Sequence, residues 1–166
     1  MYLPNGIAGE QAVRKLAGEY LNYVRFNKEE LLILTKHYPK RYQAVQKGVR
    51  KDFDMDLEEL GADLILDHFY GLDLVVDLET ESGEVIRVGI DVTVNPNEVQ
   101  KKLDKGSQEI KGLLQDLGIQ RFLVVLYQVE KPYNQMNKRD EYILAGQVFD
   151  WIDTNPGWAS ELTLTL

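Results

Sequence analysis

Hydrophobic and polar positions alternate in two neighbouring stretches of the chain, with Val75 and Gly89 the departures. Between residues 72 and 79, Leu72, Leu74, Val76 and Leu78 form one set, and Asp73, Val75, Asp77 and Glu79 the other. This is the period-two pattern of a strand, in which alternate side chains point to opposite faces. Residues 86–94 repeat it, with Ile86, Val88, Ile90, Val92 and Val94 opposite Arg87, Gly89, Asp91 and Thr93. Glu81-Ser82-Gly83 lies between them as a three-residue turn, with Gly83 suited to the left-handed position. Matching polar face to polar face then fixes the register: Thr80 pairs with Glu84, Asp77 with Arg87, and Asp73 with Asp91. Asp77 and Arg87 make a favourable cross-strand pair, whereas like charges at Asp73 and Asp91 oppose pairing. Either a divalent cation between the carboxylates or plain exposure to water answers that repulsion. Magnesium, held by one or two carboxylates with waters and substrate phosphates, suits the first alternative.

A helix follows at once. Asn95 caps it, Pro96 fits its first turn and Glu98 completes a capping-box spacing. Val99, Leu103, Ile110, Leu113, Leu114 and Leu117 recur at three- and four-residue steps, with Gly106 on the same face and Gly118 as the stop. At about 100° per residue, Lys102 flanks this stripe near the helix start and Lys101 points away. Lys102 either reaches back toward the strand ends or snorkels into solvent. The apolar run Arg121 to Tyr127 predicts a strand covered on both faces.

The remaining chain is read more coarsely. Helices are expected over Ala8–Val24, Lys28–Thr35, from Pro39 to about Leu60, and over Glu141–Ile152. Lys131–Asp140 is read as a loop, and Leu162–Leu166 as an edge strand after the Asn155-Pro156-Gly157 turn. Ala62–Leu66 is read as the first strand of a meander, although Asp56–Phe69 also scans as helix.

The 166 residues suffice for one domain with a sizeable core. We divide it into an N-terminal helical extension (1–38), a core (39–130) and a C-terminal helix and tail (131–166). No cysteine is present, which excludes a disulfide framework, a thiolate zinc site and a cysteine nucleophile. The opening Met1–Gly6 lacks the basic and apolar regions of a signal peptide, and no apolar run approaches a membrane span. A cytoplasmic protein that does not enter membranes is the expectation.

The net charge of −8 argues against a simple nucleic-acid coat, but the charge is unevenly spread. Between residues 28 and 51, seven lysines and arginines (Lys28, Lys36, Lys40, Arg41, Lys47, Arg50 and Lys51) face only Glu29 and Glu30. From Asp52 to Asp91, thirteen acids accompany the single arginine Arg87. Carboxylates for an ion beside cations for a phosphate backbone would serve metal-dependent phosphodiester chemistry. The basic run reads equally as the solvated side of a helix. His37 and His68 are far apart and accompany no nucleophile pattern, so they suggest no triad, although His68 lies just before Gly71.

A strand bearing Gly71-Leu72-Asp73, a tight turn, and a strand ending in Asp91-Val92-Thr93 before a helix together resemble the PD-(D/E)xK nuclease superfamily. The resemblance covers roughly residues 40–130 and implies an α/β fold with a restriction-endonuclease-like core, a mixed sheet flanked by helices. It places Asp73 and Asp91 as metal-binding acids for Mg2+ or Mn2+. The motif's lysine falls at Thr93, a departure from the pattern, and Lys102 is the candidate substitute. Glu58 and Glu59 stand where some members carry a helical acid. The activity implied is metal-dependent cleavage of nucleic acid, DNA before RNA, with Asp73, Asp91, Thr93 and Lys102 as the site and a homodimer as one state open to it. The alternative is a non-catalytic member of the same fold, a DNA-associated or assembly factor that kept the acids and lost the lysine.

Overall fold

A computed structural model describes residues 5–166; Met1 to Pro4, and the reading made of them, lie outside the described residues. Among the described residues the fold is α/β, a five-stranded mixed sheet flanked by seven helices. In chain order the elements are α1 (Gly6–Tyr20), β1 (Asn22–Tyr23), α2 (Lys28–Thr35), α3 (Pro39–Phe53) and α4 (Ala62–Tyr70). They continue with β2 (Leu74–Glu79), β3 (Val85–Thr93), α5 (Val99–Asp104), α6 (Lys111–Asp116), β4 (Arg121–Tyr127), α7 (Lys138–Thr154) and β5 (Ala159–Leu164). Sheet order follows sequence order. β1, β2 and β3 form an antiparallel meander, and β4 and β5 extend it in parallel from β3.

The hairpin follows the parity argument. Gly83 takes φ +86°, Thr80 N–H donates to Glu84 O at 2.8 Å, and the ladder pairs Asp77 with Arg87. The Arg87 guanidinium grips both Asp77 oxygens at 2.9 and 3.1 Å. One assignment changes: Leu72 joins the face opposite Leu74, Val76 and Leu78, because it precedes the strand and fills the space that Gly89 leaves without a side chain.

Each sheet face carries its own core. Leu74, Val76, Leu78, Ile86, Val88 and Ile90 pack against α1 and α7, through residues such as Leu16 and Trp151. Val75, Phe122 and Val124 pack against α2 to α6. β4 contributes to both, as its continuous apolar run requires. The two parallel crossovers step the same way across the sheet while their helices lie on opposite faces. They are therefore of opposite hand, and one of them departs from the usual right-handed connection. Residues 1–38, read as an extension, supply α1 to the first core and β1 to the sheet edge.

Three expectations are corrected. Ala62–Leu66 is not a strand but the start of α4; its Ile65, Leu66, Phe69 and Tyr70 bury one helical face. The meander's first strand is instead the two-residue β1, which falls inside the stretch read as the first helix, Ala8–Val24. That helix ends at Tyr20, and the Val24 N–H continues the strand by donating to Val75 O at 2.8 Å. The helix opening at Pro39 stops at Phe53, where Asp54 turns left-handed with φ +54°; a short 3-10 turn then runs through Leu57–Glu59. Finally, the helix after Asn95 is not continuous. A π-helical turn at Lys105–Glu109 separates α5 from α6. Trp158 Nε1–H donates to Gly106 O at 3.0 Å within this turn, and the Phe122 ring lies where a Gly106 side chain would stand. The last helix and the edge strand are both present with shifted bounds. α7 starts at Lys138, inside the stretch read as loop, and runs to Thr154. β5 spans Ala159–Leu164 at the sheet edge rather than Leu162–Leu166.

The Phe122 ring is buried and has no room to yield. Gly106→Ala is therefore expected to cost about 2–3 kcal/mol by overpacking. Gly112→Ala, with open space around it, should be neutral or stabilising by up to about 1 kcal/mol. Denaturant melts of the two variants check this, and equal stabilities would refute it.

Candidate functional site

Gly71 ends α4 in the left-handed conformation, φ +68°, and turns the chain into the sheet. Two residues later Asp73 N–H donates to Ile90 O at 2.8 Å, one step beyond the last ladder pair, Leu74 with Ile90. Asp73 thus stands across from Asp91 on the face covered by α2 to α6, the face of Val75 and Gly89. Both aspartates are only 7% exposed, and Thr93 8%. Of the two answers to the repulsion, exposure to water is ruled out.

The surroundings answer it instead. Asp73 Oδ2 accepts the Val92 N–H at 2.7 Å. The Lys102 ammonium donates to both Asp91 oxygens at 3.0 Å. Lys102 is half-buried and Lys101 exposed, as the helical spacing required. Burial first, then the Asp91 charge, raise the Asp73 carboxyl well above the usual range, to about 8; Glu10 and Asp67 add to this and only the Val92 N–H opposes it. A carboxylate so placed either keeps its proton or takes a cationic partner.

Thr93 shares the Asp91 face, but its hydroxyl is engaged with the turn that starts the helix: it accepts Asn95 N–H at 3.1 Å and faces Asn95 O at 3.4 Å. Glu58 and Glu59 are not at the site. Glu58 accepts the Tyr42 hydroxyl, and Glu59 closes a capping box on Asp56 N at 3.1 Å. His68 packs edge-on against Phe53, with 5.2 Å between ring centroids, and serves packing.

Four residues that the sequence reading passed over gather here. Glu10 of α1 and Asp67 of α4 act on Asp73 through their charge. Arg14, paired with Glu10 at 3.1 Å, donates to the Asp73 carbonyl at 2.5 Å and the Tyr23 hydroxyl at 2.7 Å. The Lys105 ammonium lies 3.0 Å from where a Gly71 Cβ would sit, with no ion pair or hydrogen bond among the described residues. The one signal for the α1 pair was the i,i+4 spacing of Glu10 and Arg14, and nothing local shows that α1 brings Arg14 to the Asp73 carbonyl.

Among the described residues no three His, Cys, Asp or Glu side chains converge as a metal-binding set. Magnesium does not require that many, since one or two carboxylates with water and substrate oxygens complete its shell. Two buried carboxylates, one of them under strong pressure to stay neutral, fit that donor requirement. Two clefts of about 580 and 420 Å3 lie elsewhere, along α3, and neither is lined by Asp73 or Asp91.

No family model, curated protein or solved structure matches the chain. Among the described residues no helix is long and apolar enough to cross a membrane.

The raised Asp73 carboxyl has a consequence for stability. Its pKa is near 3.8 when unfolded and about 8 when folded, so between these values the folded state binds the extra proton. That stabilisation is full below about pH 4 and is lost as pH rises toward about 8. With divalent ions chelated, wild type is expected to lose melting temperature over this window relative to Asp73→Asn, which keeps an oxygen for the Val92 N–H. Parallel melting curves for the two proteins would show that Asp73 ionises like an ordinary carboxylate.

Proposed function

We propose that this protein is a metal-dependent phosphodiesterase that cleaves DNA, a divergent relative of the PD-(D/E)xK nucleases with a relocated lysine. The observation that carries the reading is Lys102, whose ammonium contacts both oxygens of Asp91 at 3.0 Å across from Asp73. Two acids and a lysine meet at the ends of adjacent strands, with the lysine supplied by α5 in place of Thr93. The order helix, meander, helix, strand through α1, β1 to β3, α5 with α6, and β4 is compatible with that superfamily's core, with α2 to α4 inserted after the first strand.

Asp73 and Asp91 would hold magnesium or manganese. When bound, such an ion supplies Lewis acidity and a water of lowered pKa. The chain's own groups do the rest. The Val92 N–H and the Arg14 grip on the Asp73 carbonyl hold that carboxylate in orientation. The Lys102 ammonium, half-buried and therefore weakly screened, stabilises negative charge that develops on a phosphate beside Asp91. Lys105, with no acid of its own, adds a second cation at Gly71 for substrate oxygens.

A second reading, a non-catalytic assembly or DNA-associated factor, draws on one specific observation. Lys102 already neutralises Asp91 without any metal, so the lysine and the acid serve the fold alone in that case.

The two readings part at Lys102. In the enzyme, Lys102→Ala is expected to lower cleavage about a hundredfold or more with DNA affinity nearly intact, as for a group acting mainly in the transition state. Lys102→Arg should recover part of the loss, Lys101→Ala should do little, and Thr93→Lys in the Lys102→Ala background should restore activity. Cleavage of labelled DNA and RNA with magnesium or manganese decides it. If neither wild type nor Thr93→Lys cuts either polymer, the assembly reading replaces the enzyme.

A further inference from the structure

We infer that the exposed face of α3 is the surface on which this protein grips the phosphate backbone of duplex DNA; the choice of partner rests on the phosphodiesterase reading. The chain carries a net charge of −8, yet Pro39 to Lys51 contains five lysines and arginines and no acid. α3 buries Gln46 and Val49 against the body of the protein. At about 100° per residue, Lys40, Lys47, Arg50 and Lys51 fall within one arc of roughly 100° on the other side, and all four are exposed. Lys36 and His37, in the turn just before the helix, extend the same basic surface.

These charges are not spent internally. Arg50 pairs with Asp56 at 2.9 Å, but Lys36, Lys40, Lys47 and Lys51 make no ion pair among the described residues. From Lys40 to Lys51 the stripe runs about 16 Å, against a duplex that presents one negative charge per about 1.7 Å of axis. Free ammonium groups in water cost little to bring against phosphate, and the counterions released supply the affinity.

The aromatic residues argue for duplex over single strand. Base stacking needs exposed rings. Tyr38 and Tyr42 are half-buried, with hydroxyls bound to Asp116 and Glu58, and Phe53 at the far end packs against His68. From Lys40 to Lys51 the face offers cations and no exposed ring; Phe53, 38% exposed, lies beyond the last of these cations with its ring edge against His68.

The surface also leads to the site. The cleft of about 580 Å3 at the start of α3 is lined by His37, Lys40 and Arg41, with Glu109 and Leu113 opposite. Arg41 Nε–H donates to Phe69 O at 2.7 Å. Phe69 lies four residues before Asp73, at most about 14 Å along the chain. Lys105 at Gly71 and Lys102 at Asp91 continue the positive path. The start of α3 is thereby anchored to the segment that leads into Asp73.

The test is fluorescence anisotropy of a short mixed-sequence duplex across a salt series, with divalent ions chelated. It compares wild type with the triple variant Lys40→Gln, Lys47→Gln, Lys51→Gln, and with Lys15→Gln on α1 as control. All four positions are exposed, and none contacts Asp73, Asp91 or Lys102. The triple variant is expected to bind at least about tenfold more weakly at low salt and to lose about 3 from the slope of log affinity against log salt, close to one per phosphate contact. Lys15→Gln should match wild type. No duplex binding by wild type, or an unchanged slope in the triple variant, overturns the inference. So does displacement of the duplex by polyglutamate at equal charge concentration, which would make an acidic protein the partner. Cleavage assays separate the two claims. Wild type that binds through α3 but never cuts supports this surface and refutes the phosphodiesterase reading. Wild type that cuts, with a triple variant that cuts at unchanged KM, overturns this surface and leaves the reading intact.

Discussion

Two carboxylates held out of water across one antiparallel pair of strands are the constraint around which this molecule is arranged. Removing an ion from water costs several kcal/mol unless its partners replace the hydration. Here it bears on Asp73 and Asp91, buried on the same face. It raises the Asp73 carboxyl to about 8, so that Asp73 holds its proton at neutral pH unless a cation joins it. The replacements come from four separate elements. β3 supplies the Val92 N–H, α5 the Lys102 ammonium, α1 the Arg14 guanidinium that steadies the Asp73 carbonyl, and the left-handed Gly71 the turn that brings Asp73 into register. Each is a local feature of the sequence with an ordinary cause, and their convergence is what makes the pair tolerable.

The π-helical turn shows how distant packing shapes this end of the sheet. A regular helix from Asn95 onward would carry its apolar stripe continuously. Instead Trp158, fifty-two residues away, takes the Gly106 carbonyl, and the Phe122 ring occupies the space beside it. α5 and α6 are packed as separate pieces, and Lys102, before the π-helical turn, and Lys105, its first residue, reach Asp91 and Gly71 respectively. The same neighbourhood is fed by α3 through Arg41, so cations collect where the acids lie deepest.

Period-two alternation and one glycine sufficed to read the hairpin, because each strand has a buried face and a one-residue slip would turn that face to water. Asp77 with Arg87, the placement of Asp73 beside Asp91, and the inward lean of Lys102 against Lys101 were all legible for that reason. Ala62–Leu66 misled because a short apolar run reads alike in a strand and in a buried helix, and length decides only after the boundaries are known. β1, with two residues, has no pattern to detect. Glu10, Arg14 and Lys105 were invisible as site residues because their position depends on how α1 and the π-helical turn after α5 pack against the segment from Gly71 to Asp73. The Trp158 bond to Gly106 was hidden for the same reason: long-range packing writes no local signal.

The central claim is that Asp73 and Asp91 form a cation site rather than an idle acidic pair that Lys102 has already settled. The most direct measurement is a crystal soaked in manganese with data collected for anomalous scattering. One anomalous peak is expected in contact with carboxylate oxygens of both Asp73 and Asp91, and lost in Asp91→Asn. A peak only at surface acids, or none with the aspartates still bound as before to Val92 and Lys102, would contradict it.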